Sequence, residues 1–146
     1  MKTRVLIGSA VRQKPAILKE FLDSLAELDY SDTSVDFLFV DNNDDPDSSW
    51  LLQTFAVPGS TTFHAQDKPQ AAYECSEHTH HWNDQLIWKV AGYKDSILHF
   101  ARQKDYSNVF LVDSDLVLHP QTLKQLLASG KEIISEIFWT EWTPGS

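Results

Sequence analysis

The sequence is short of several things, and each shortage removes a class of protein. It holds one cysteine, Cys75, among 146 residues. An intrachain disulfide is therefore excluded, and a zinc site built mainly from cysteines cannot form. Five glycines are present, and neither G-x-x-x-x-G-K-[ST] nor G-x-G-x-x-G occurs. Without those phosphate cradles the P-loop and dinucleotide-fold mechanisms drop out. Positive charge is scarce as well: 12 Lys and Arg against 21 Asp and Glu leave a formal net charge of -9. That balance lacks the broad basic footprint a nucleic-acid backbone needs, so a nucleic-acid polymer is disfavoured as a partner. No window approaches the roughly 20 apolar residues of a membrane span, and no apolar stretch of signal-peptide length follows Met1-Lys2-Thr3-Arg4. Together with the single cysteine, this reads as a cytoplasmic protein without a membrane span.

What is present is enough for a packed core. The chain is 42% hydrophobic and 12% aromatic, well above a disordered composition, and its length suits one domain over residues 1–146. Val5-Leu6-Ile7, ending at Gly8-Ser9-Ala10, is a short apolar run of the kind buried on both faces of a parallel sheet. Pro15 opens a helix in which Ile17, Leu18, Phe21, Leu22, Leu25 and Leu28 recur with helical spacing. Val35–Val40 is a second strand, ending in Asp41-Asn42-Asn43. Asp47 or Ser48 caps a short helix through Phe55, and Thr61–His64 is a third, weaker strand. Residues 65–81 show no periodicity, hold His78, His80 and His81, and read as a loop long enough to suggest a function. A long helix follows from Asn83 to Gln103, its stripe formed by Leu86, Ile87, Val90, Ile97, Leu98 and Ala101. Val109–Val112 is the clearest strand. Pro120 opens a further helix through Ala128, with Gly130 as its stop, and Glu132–Phe138 reads as a last strand. This alternation predicts a three-layer α/β/α, Rossmann-like fold with a mostly parallel sheet. The chain stops at Ser146, soon after an apolar strand flanked by Trp139 and Trp142, which reads as a fragment of a longer protein.

In such sheets ligands gather outside the carboxyl ends of the strands, where the strand order reverses. Three polar segments stand at predicted strand ends: Ser9-Ala10-Val11-Arg12, Asp41-Asn42-Asn43 and Asp113-Ser114-Asp115. Two carboxylates one residue apart can both reach a hard cation such as Mg²⁺ or Mn²⁺; the plain alternative is a turn capped by aspartate. Asp41 can accept the imide N–H of uracil or a ribose hydroxyl, or it can form an Asx-turn. Small side chains at Ser9 and Ala10 let a base or ribose approach the backbone. Lys94, near the apolar stripe of the long helix, either turns to phosphates or snorkels into solvent. The three histidines could ligate a transition metal, though consecutive loop histidines are more often solvated. Trp82, Trp139 and Trp142 could stack on a sugar or serve as packing anchors.

Taken together, Val5–Ala10, Phe39-Val40-Asp41-Asn42-Asn43 and the run from Phe110 through Asp113-Ser114-Asp115 to Pro120 and its Leu-rich helix resemble glycosyltransferase family 2, of GT-A fold. The resemblance implies a metal-dependent transfer of a sugar from a nucleoside diphosphate sugar, UDP favoured over GDP, to an acceptor hydroxyl of unknown identity, with inversion. It implies contacts to the nucleotide from Ser9, Ala10, Val11, Arg12, Asp41, Asn42, Lys94, Asp113 and Ser114. The divalent metal, Mn²⁺ or Mg²⁺, is implied to lie on Asp113 and Asp115. Asp-Asn-Asn at the second strand departs from the commoner Asp-Asp-x-Ser. The base expected in the family's acceptor-side half has no match here, Glu136 and Glu141 being the only late carboxylates, and that half reads as missing after residue 146. Two alternatives stay open: a catalytically incomplete binding module, and a nucleotidyltransferase of similar topology.

Overall fold

The computed structural model describes residues 3–66 and 84–135. The elements run β1 (Thr3–Val11), α1 (Pro15–Ala26), β2 (Thr33–Asp41), α2 (Pro46–Thr54), β3 (Thr62–Gln66), α3 (Asp84–Gln103), β4 (Asn108–Leu111) and α4 (Thr122–Ala128). The strands form one sheet in the order β3-β2-β1-β4, and every pairing is parallel. The expected α/β layering with a parallel sheet is therefore the observed fold.

β1 is hydrogen-bonded on both sides, with Ile7 opposite Phe37 of β2 and Phe110 of β4. Its apolar run is continuous because both faces are covered. Val5, Ile7 and Val11 join Val35, Phe37 and Phe39 in a cluster closed by Leu18, Phe21, Leu22 and Leu25 of α1, Leu52 of α2 and Leu123 of α4. Within it Phe55 meets Phe37 and Phe39 edge-on, with ring centroids 5.0 and 5.5 Å apart, an arrangement that suits the ring quadrupoles. Leu6, Leu38 and Val40 point the other way, to Tyr93, Ile97 and Ala101 of α3. These three helical residues recur every four positions and so share one face. Ile87 and Leu98, expected in that stripe, lie about a quarter-turn off it and are half exposed. Ile17 of α1 is likewise turned outward.

Gly8 sits where α3 presses on β1. A Cβ at this position would lie 2.4 Å from Ile97 Cγ2, so the helix can pack this close only against a residue without a side chain. At the amino edge of the sheet a polar brace holds the layers. The Tyr106 hydroxyl donates to Asp36 Oδ2 at 2.6 Å, Thr61 N–H donates to Asp36 Oδ1 at 2.8 Å, and the Arg4 guanidinium lies 4.6 Å above the Tyr106 ring. Burial, then the hydrogen bond to Asp36, pushes the Tyr106 hydroxyl up to about 12.

Several expected boundaries shift for local reasons. α2 is capped by Asp45, whose carboxylate accepts the Asp47 N–H, rather than by Asp47 or Ser48, because Pro46 already provides the first helical residue. α4 begins at Thr122 and not at Pro120. Pro120 instead occupies the second position of a turn closed by Thr122 N–H to the His119 carbonyl at 2.9 Å, a place its fixed φ suits. β3 continues through Gln66, so the start of the expected loop is strand. Of the strand expected over 132–138, Glu132–Ser135 is not a strand and is exposed. No neighbouring strand pairs with it among the described residues. The remainder of that stretch, His78, His80, His81, Trp82, Trp139, Trp142, Glu136 and Glu141 lie outside the described residues. Among the described residues no helix is long and apolar enough to cross a membrane.

Two substitutions test these contacts. Gly8→Ala should lower stability by about 1–3 kcal/mol through overpacking against Ile97; an unchanged urea midpoint would refute the close approach. Because the folded state holds the Tyr106 proton to higher pH than the unfolded chain does, its stabilisation is complete below about pH 10 and is lost as pH rises through about 12. Tyr106→Phe should therefore flatten the fall in melting temperature over that window.

Candidate functional site

The site follows from the strand order. Going from β1 to β2 to β3 the chain moves outward on one side, then returns to place β4 on the other side of β1. The order thus reverses beside β1, and the carboxyl ends of β1 and β4 stand next to each other at the position where such sheets bind ligands, while α1 and α4, which follow them, pack on the same face. All three polar segments picked out in the sequence stand on this edge. Val112 N–H still bonds the Gly8 carbonyl at 3.0 Å, so the ladder carries the Asp-Ser-Asp triplet up beside Ser9. From there the chain alternates: Val112 and Ser114 are buried, while Asp113 and Asp115 are exposed. Both carboxylates thus face solvent, held by a buried residue on either side of Asp113. Among the described residues neither carboxylate has a hydrogen-bond or ion-pair partner, and no group of three or more His, Cys, Asp or Glu could hold a metal by itself. Two free carboxylates fit a hard divalent cation that takes its other ligands from phosphate and water.

The segments after β1 and β2 are stitched together. Asn42 N–H donates to the Val11 carbonyl at 2.9 Å, and Gln13 N–H donates to Asn43 Oδ1 at 2.9 Å. Ser48 Oγ, fully buried, donates to the Gln13 carbonyl at 2.6 Å. Arg12 and Asp44 form an ion pair across the two loops. Asp41 is 7% exposed, and its Oδ1 accepts both the backbone N–H of Asn43 at 2.9 Å and the Asn43 Nδ2–H at 2.8 Å. The Asx-turn considered for Asp41 is therefore present and occupies one of its two oxygens. Ser9 Oγ and Asn42 Oδ1 are buried without a hydrogen-bond partner. Buried polar atoms left unpaired are costly and call for a ligand or water.

Not every candidate takes a side chain to this edge. Val11 packs its side chain into the core, and only its backbone reaches the loops. Ala10 is half-buried on the α3 side. Lys94 lies one position past Tyr93 and is exposed, with no bond to the other candidates among the described residues. Asp44 and Ser48 were missed as site-builders, and Asn43 was named only as part of the polar run after the second strand; the signal was an Asx residue two positions after Asp41, beside a loop with its own unpaired backbone groups.

The family model described as "Glycosyltransferase family 25, N-terminal domain" matches residues 2–142. This chain belongs to glycosyltransferase family 25. The likeness to family 2 read at the strand ends thus resolves as a glycosyltransferase domain, and the matching family is family 25. In this family 25 domain the carboxyl edge carries the loop network described above, and Ser48 is its most buried member. Ser48→Ala should leave the Gln13 carbonyl without its donor and cost about 1–3 kcal/mol, with faster amide exchange at Gln13 and Lys14. Unchanged exchange there would show that the tie does not hold the loop.

Proposed function

We propose that this domain binds a nucleoside diphosphate sugar across its carboxyl edge and takes part in metal-dependent, inverting transfer of the sugar to an acceptor hydroxyl. What supports this reading most is the meeting of three polar strand ends at the reversal of strand order, with two unpartnered carboxylates exposed there. Asp113 and Asp115 hold Mn²⁺ or Mg²⁺, which when bound neutralises the diphosphate and eases its departure. Asp41 accepts a donor from the base or ribose. Ser9, Ala10 and the Val11 backbone leave room for the nucleoside, and Ser9 and Asn42 supply the unpaired polar atoms beside it. Ser114 fixes the spacing of the two aspartates from its buried position. Arg12, paired with Asp44 at the carboxyl edge, keeps a positive charge near the phosphates in a chain of net charge -9, while Lys94, exposed on α3 with no bond to the other candidates among the described residues, is left out of this role.

Transfer forms a bond from the acceptor oxygen to the anomeric carbon as the bond to the diphosphate breaks, and the acceptor proton passes to a carboxylate base. That base is not assigned to any residue here. We place the reaction in a reducing, cytoplasmic compartment, with UDP-sugars favoured over GDP-sugars. Calorimetry with UDP and GDP, with and without Mn²⁺, tests the reading. Asp115→Ala should weaken Mn²⁺-dependent UDP binding by about tenfold or more, the scale of one lost charge-assisted contact. Equal binding by the variant, or binding indifferent to the metal, would sink the metal role. Binding without turnover in the presence of acceptors would favour a binding module instead.

A further inference from the structure

The hydrogen bonds of Asp41 carry an inference that rests on the donor-site reading and sharpens it. A carboxylate offers about four lone-pair positions, two on each oxygen. Asp41 Oδ1 already accepts two N–H groups, both from Asn43, and its two positions are filled. Oδ2 has no partner among the described residues, and the side chain is nine-tenths buried. The group therefore presents a single oxygen to whatever lies beside it.

We infer that Asn43 is a specificity-determining residue: by saturating Asp41 Oδ1 it restricts the base to one that offers a lone N–H donor, as uracil does. Uracil places one imide N–H between two carbonyls. Guanine places two N–H donors side by side, from N1 and the exocyclic amine, and such a pair is matched by both oxygens of a carboxylate. With Oδ1 occupied, a guanine at this position would leave one donor facing a filled acceptor, and a buried unpaired donor is expensive. Cytosine presents a ring-nitrogen lone pair at the equivalent position and is repelled by the carboxylate itself. Asn43 is held in this role from its other side, because its Oδ1 accepts the Gln13 N–H. The amide thus spends its acceptor on the β1 loop and its donor on Asp41.

Replacing Asn43 reopens the second oxygen. In Asn43→Ala the Nδ2–H is removed, and Oδ1 regains one acceptor position. In Asn43→Asp the donor is also lost, while an oxygen remains to accept the Gln13 N–H and keep the loop tied. Calorimetry of UDP, GDP and CDP with Mn²⁺ is the test, read as the ratio of UDP to GDP affinity within each protein. A general loosening weakens all three ligands alike and leaves that ratio unmoved. The wild-type chain is expected to prefer UDP to GDP and bind CDP weakly, and both variants should lose about tenfold of the UDP-over-GDP ratio. A ratio unchanged in both variants, with UDP still bound, overturns the role of Asn43 and leaves the donor site standing. A wild-type chain that binds none of the three overturns the donor site itself.

Discussion

Between β3 and β4 the chain passes back over two strands, and the right-handedness of β-α-β crossovers leaves it only one face on which to do so. α1 and α2 carry the chain outward on one side of the sheet, so α3, carrying it back, lies on the other. Much else follows from that. β1 becomes a central strand covered twice, which is why its residues from Val5 to Ser9 are all buried. Gly8 becomes the point where strand and helix touch. The carboxyl ends of β1 and β4 become neighbours for the same reason, because the return crossover sets β4 beside β1.

The chemistry at that edge has an unusual electrostatic setting. An acidic domain is poorly suited to hold a diphosphate directly, and the two exposed aspartates at the end of β4 would add repulsion unless a cation lay between them and the ligand. Elsewhere on the edge the carboxylates are kept quiet. Asp44 is matched to Arg12, Asp45 caps α2, and Asp41 spends one oxygen on Asn43. Asp113 and Asp115 face solvent with no internal partner among the described residues, as does Asp47 in the first turn of α2.

Much of this was legible in the residue pattern and some was not. β1, β2 and β4 announce themselves through unbroken apolar runs and the helices largely through helical spacing, since those patterns follow from burial, whereas the mostly exposed β3 shows only weakly. The strand ends follow, because a polar run directly after a buried strand has few places to go. Pro120 misled because proline suits both a helix start and the second position of a turn, and only the hydrogen bond between Thr122 and His119 decides between them. Glu132-Ile133-Ile134 looks like a strand by composition, but a strand needs a neighbour, and composition does not say whether one is in reach. The stitching of the β1 and β2 loops was invisible for a similar reason. Gln13, Asn43 and Ser48 are ordinary turn residues until the sheet register brings their backbones together. The family, too, was read only as far as a glycosyltransferase, the matching family being family 25 rather than family 2.

Arg4, Tyr106 and Asp36 meet at the opposite edge of the sheet from the loops proposed to hold the nucleotide. The brace ties β1, β2, the chain leading into β3 and the turn after α3 into one knot without using any residue of the carboxyl edge. The brace and the proposed recognition site thereby occupy separate ends of the same strands. A lineage of such domains can rewrite the residues after β1, β2 and β4 to take a new donor while the knot keeps the strands in register. The scaffold is, in that sense, insulated from its own changes of substrate.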